Sequence, residues 1–155
     1  MMNPIKIINQ KEKEKIIKKL NDQFGIVQIK ETLIKIGEEN IFLYAGNFKE
    51  FEIQNFEKII GVEKIGIYFG KIKEEKIILS MEAIQILKDQ ISKNILEINE
   101  QQVKEFMKGN ELLISSKNKG YSVIKYKEDF LGLGKASEEK ISSLIPKSRR
   151  LKNNR

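Results

Sequence analysis

The chain has no cysteine, no histidine and no tryptophan among its 155 residues, and only two prolines. Each gap closes off a class of function. Without cysteine there can be no disulfide, no thiolate metal ligand and no sulfur nucleophile. Without histidine the commonest general base is missing, and Cys/His zinc sites are excluded outright. No glycine-rich phosphate loop is present. Charges recur too often for a membrane span, and the first residues lack the apolar stretch of a signal peptide. The carboxylates lie scattered among lysines and read as solubilising charge rather than as a catalytic pair or a magnesium cradle. The expectation is a cytoplasmic protein with no catalytic residues, no metal site, no cofactor and no membrane partner.

The residues that are present make up 40% hydrophobic and 33% charged side chains, a globular composition with a strongly ionic surface. Net charge is +7, and it is unevenly spread. From Lys135 to Arg155 seven basic residues stand against Glu138 and Glu139 alone, a local charge of +5 that leaves +2 for the rest of the chain. A localised basic patch is the footprint of a polyanion partner. Arginine is confined to Arg149, Arg150 and Arg155, while lysine supplies every other positive charge. The guanidinium offers a planar fork for bidentate contact that the ammonium does not.

Periodicity gives the elements. Ile16, Ile17, Leu20 and Phe24 predict an amphipathic helix over Lys11 to Phe24, ended by Gly25. Strands are expected from Ile26 through Ile36, at Ile41 to Tyr44, at Lys64 to Ile72 and at Lys76 to Leu79. A short helix is expected through Phe48 to Ile60, and Ser80 reads as the N-cap of another carrying Ala83, Ile84 and Leu87. After Asn94 the pattern changes. A strand at Ile95 to Ile98 leads to a helix capped by Asn99, with Gln102 placed for a capping box and Gly109 as its stop. Short strands follow at Glu111 to Ser115, Tyr121 to Tyr126 and Phe130 to Lys135, suggesting a small barrel closed at one end by the helix. Gly132 and Gly134 read as bends of that barrel. The division into residues 1–91 and 92–155 falls near Ser92.

Three stretches carry a family resemblance. Phe106-Met107-Lys108-Gly109-Asn110-Glu111-Leu112-Leu113 resembles the helix-to-strand passage of PUA domains. Phe130-Leu131-Gly132-Leu133-Gly134-Lys135 is similar to the glycine-bearing strand of the same module. Leu144-Ile145-Pro146-Lys147-Ser148-Arg149-Arg150-Leu151 resembles the close of the PUA-like domain that follows the catalytic domain in Nop/Sun-type RNA 5-methylcytosine methyltransferases. Ile67 to Lys71 and Leu79 to Ala83 look like the region before that module. A stand-alone α/β domain followed by PUA is similar to a small archaeal and eukaryotic ribosome-biogenesis family. One loop departs from the pattern: Ser115-Ser116-Lys117-Asn118 stands where PUA domains often have Pro-Gly.

The resemblance implies an α+β chain: an N-terminal α/β domain with a mostly antiparallel sheet, then a small PUA-type β-barrel with a helix. It implies RNA, ribosomal or transfer, as the partner, and a separate RNA-modifying enzyme or ribosome-assembly factor as a possible second one. Carried onto this chain, the RNA surface takes in Lys108, Gly109, Lys147, Arg149, Arg150 and Lys152. Lys117, Lys119 and Lys135 are added as loop and strand cations. A protein-interaction module with a basic tail is the alternative. Methyl transfer by the cysteine chemistry of the related enzymes is ruled out by composition.

Overall fold

The computed structural model describes residues 5–44, 66–116 and 119–152. The expected helix through Phe48 to Ile60, the start of the strand expected from Lys64, and Lys117 lie outside them.

β1 (Ile5–Ile7) leads into α1 (Gln10–Phe24). The Asn9 side chain accepts the Glu12 N–H at 2.9 Å and satisfies an otherwise orphaned donor of the first turn. Ile16, Leu20 and Phe24 form the buried stripe, and Gly25 ends the helix in the left-handed conformation. β2 (Thr32–Ile36), β3 (Asn40–Tyr44), β4 (Ile67–Lys73) and β5 (Lys76–Leu79) complete a five-stranded antiparallel sheet in sequence order. The strand expected to run from Ile26 begins only at Thr32. Residues 26–30 belong to no strand. The place of a partner strand is taken by the Gln90 side chain, which accepts from the Val27 and Gln28 N–H groups and donates to the Gln28 carbonyl.

Ser80 caps α2 (Met81–Leu87) through the Ala83 N–H, as its position predicts. β6 (Ile95–Glu97) then starts a second sheet, followed by α3 (Glu100–Met107), β7 (Gly120–Tyr126), β8 (Asp129–Ala136) and β9 (Ile141–Ser143). Its order is β6-β7-β8-β9, with β6 parallel to β7 and the other pairs antiparallel. The capping box on α3 is complete: Asn99 and Gln102 exchange side-chain-to-backbone hydrogen bonds, both 2.9 Å.

The strand expected at Glu111 to Ser115 does not form. Leu112 alone pairs, exchanging hydrogen bonds with Ile141. The Ile114 N–H turns back to the Leu112 carbonyl at 3.1 Å, a three-residue turn that takes the chain out of the ladder. The α+β architecture stands.

Alternation along β8 decides what each face of the second sheet meets. Leu133, with Val123 of β7, joins the main core of α1, α2 and the first sheet. Ala136 and Ile124 point the other way, into a cluster with Phe106, Ile141 and Ile145. Gly132 and Gly134 face that second cluster. Added β-carbons there would come within 2.7 Å of Ile145 and 2.8 Å of Ile141, so these glycines are filled space under the helix. Among the described residues no strand crosses between the sheets, yet the apolar packing does. Asn94 bridges the two halves, donating to the Gln23 carbonyl and accepting the Val123 N–H through its own.

Candidate nucleic-acid interface

The end of α3 is closed locally, the Gly109 and Asn110 N–H groups donating to the Phe106 and Glu105 carbonyls at 3.0 Å. The C-terminal segment returns to this end and adds two further bonds. Ser143 Oγ donates to the Phe106 carbonyl at 2.9 Å, and the Leu151 N–H donates to the Met107 carbonyl at 2.8 Å. Between these points a 3-10 turn, Lys147–Arg149, follows Pro146. Residues Leu144 to Lys152 are thereby wrapped around the end of the helix.

Gly109 makes this return possible. It sits at φ 88°, and the Arg150 side chain passes across it. A β-carbon at position 109 would lie 2.4 Å from Arg150 Nε and 2.6 Å from its Cζ. Arg150 Nε donates to the Ile145 carbonyl at 2.9 Å. The arginine is half-buried and acts as a strut between the helix stop and the tail.

Its neighbour has a different environment. Arg149 is exposed and forms an ion pair with Glu82 of α2. Lys147 and Lys152 are exposed and Lys108 is half-buried; among the described residues none of the three has an ion-pair partner. Lys108 is the C-cap of α3, where the macrodipole favours positive charge, and Lys152 follows the residue tied to the Met107 carbonyl. Exposed Leu144 and Leu151 lie among them.

The remaining candidates are elsewhere. Lys135 shares the side of β8 that carries Leu133, opposite the face under α3, and its ammonium lies 5.7 Å from the centre of the Tyr121 ring. Lys119 pairs with Glu138 at 2.9 Å. The nine sequence candidates thus fall into a group at the end of α3, a second group on the other side of the sheet, and Lys117 outside the described residues. Glu82 and Ser143, which hold Arg149 and the end of α3, carry no sequence signal of their own. Both act through partners far away in the chain.

Displaced titrations occur away from the end of α3. The Lys6 ammonium hydrogen-bonds Glu12 and lowers its carboxyl, Lys19 does the same to Glu75, and burial raises the Tyr68 phenol. Among the described residues no cluster of three or more carboxylates could hold a metal ion, and no helix is long and apolar enough to cross a membrane.

Residues 93–151 match the family model described as the methyltransferase RsmF PUA domain. The match spans the second sheet, α3 and the returning tail. This part of the chain is similar to the PUA domain of Sun-type RNA methyltransferases. No curated protein is significantly similar to the chain.

Proposed function

We propose that the protein is a non-catalytic RNA-binding adaptor in ribosome biogenesis or in rRNA or tRNA modification. The RNA lies on the surface at the end of α3, where Lys108, Lys147, Arg149 and Lys152 meet its phosphates. The half of the chain before residue 92 shares its core with the second sheet and leaves its outer surface to a protein partner such as an RNA-modifying enzyme. The observation that carries this reading is the set of unpaired lysines assembled by the returning tail of a PUA domain. Arg149 belongs with them despite Glu82, because an exposed ion pair contributes only about 0.2–1 kcal/mol and yields readily to a phosphate. Arg150 holds the surface in shape and does not itself need to reach the RNA.

Contacts of this kind position a ligand without reading its sequence, so selectivity would come from RNA shape, loops or bulges. Fluorescence anisotropy with a structured RNA pool across a salt series tests the reading. With three or four phosphates neutralised, the log–log slope should be about −2 to −4. Lys147→Gln/Lys152→Gln, which leaves the strut intact, should weaken binding and flatten the slope by about 1.5. No binding at low salt, or an unchanged slope in the variant, would rule the surface out.

A further inference from the structure

A second basic concavity lies between the two sheets. Its volume is about 250 Å³, and Lys73, Lys76, Lys119, Lys135 and Tyr121 line it. The lysines come from two hairpins distant in sequence. Lys73 and Lys76 close the β4–β5 hairpin, and Lys135 stands opposite Tyr121 in the β7–β8 ladder. Lys73 and Lys76 are themselves a directly opposed cross-strand pair, and like charges so placed destabilise a hairpin. All four lysines are exposed. Asp22 and Glu74 also border the cleft, and Lys119 is paired with Glu138. Among the described residues Lys73, Lys76 and Lys135 have no ion-pair partner. Like charges converging on one concavity repel each other and concentrate anions there.

We infer that this cleft seats the phosphodiester backbone of the RNA strand, which rests on the RNA-binding reading above and extends the RNA footprint onto the N-terminal half of the chain. Lys73, Lys76 and Lys135 neutralise the phosphates as point charges. The Lys135 ammonium stands 5.7 Å from the centre of the Tyr121 ring, whose face favours a cation at the cleft. The cleft and the end of α3 lie on opposite sides of the second sheet, so an RNA engaging both must pass around its edge.

The test uses the full chain and a labelled single-stranded RNA, with salt slopes measured for the wild type and three variants. These are Lys73→Gln/Lys76→Gln/Lys135→Gln in the cleft, Lys147→Gln/Lys152→Gln in the tail, and Lys11→Gln/Lys30→Gln/Lys88→Gln as a control of equal charge loss. The cleft variant should bind more weakly, with a slope shallower by about 2, while the control keeps the wild-type slope. A cleft variant with the wild-type slope overturns the inference, and a tail variant that still loses binding then leaves the RNA reading standing. A control that loses as much as the cleft variant also overturns it, because net charge alone would account for the effect. No RNA binding by the wild type removes both readings together. Inorganic pyrophosphate is titrated in parallel, following the Gly120 amide by NMR. No saturation is expected at millimolar concentration, whereas saturable binding abolished in the cleft variant would assign the site to a small free phosphate and overturn the RNA assignment.

Discussion

Replacing Gly109 by alanine sets two costs against the fold. An L-residue held at φ 88° is strained by about 1–2 kcal/mol. The new methyl group also occupies the place of the Arg150 guanidinium, which must move and give up its bond to the Ile145 carbonyl. Gly109→Ala should therefore lower stability by about 2 kcal/mol or more in urea denaturation. In the double variant Gly109→Ala/Arg150→Ala the collision is gone and only the backbone strain and the lost strut remain. Its destabilisation should fall short of the sum of the two single changes, and additive costs would show that the two residues do not touch. Arg149 and Arg150 look alike in sequence, adjacent and equally basic. Their divergence is set by what lies across from each, Glu82 on one side and Gly109 on the other. No pattern in the tail alone encodes that difference.

At the level of elements, the edge strand β5 depends on one side chain. Gln23, buried near the end of α1, accepts the Ile77 N–H at 2.8 Å and donates to the Ile77 carbonyl at 3.2 Å. The amide thus stands in for a neighbouring strand. Gln23→Ala leaves both groups without partners and should cost about 1–3 kcal/mol, with faster hydrogen exchange at the Ile77 amide. Unchanged exchange there would show that water replaces the side chain at no cost. What could be read beforehand at this scale was local. The Ser80 and Asn99 caps, the Gly25 and Gly109 stops and the Gln102 capping box join groups within four residues of one another, so the sequence displays both partners. β1 and β9 escaped because Ile-Lys-Ile and Ile-Ser-Ser carry almost no pattern and become strands only through their neighbours. The opposite error, a full strand at Glu111 to Ser115, came from an apolar run broken by a turn that its composition does not signal.

Across the whole molecule the two sheets share one apolar interior. Val123 and Leu133 are almost wholly buried against α1, α2 and the first sheet, with Ile95, Tyr121 and Phe130 packed alongside. Cutting the chain near residue 92 uncovers this face. An isolated 92–155 fragment should bind a hydrophobic dye and self-associate during size-exclusion chromatography, while the full chain does neither. A monomeric, dye-silent fragment would show that the PUA domain completes its own core. The described sequence candidates are split by this sheet: Lys135 stands on the Leu133 side of β8, while Lys108, Gly109 and the tail residues lie at the end of α3 beyond the opposite face.

The return of the tail onto α3 also sets an order in time. The helix, Lys108 and Gly109 of the proposed surface leave the ribosome well before Arg150 and Leu151, the residues that strut and tie it. A nascent chain that folds from its N-terminal end can bury its main core while this surface is still open. The surface is complete only when the chain has been translated through Lys152, so a product ending before Arg150 would carry the helix end without the strut, the tie or the last lysine.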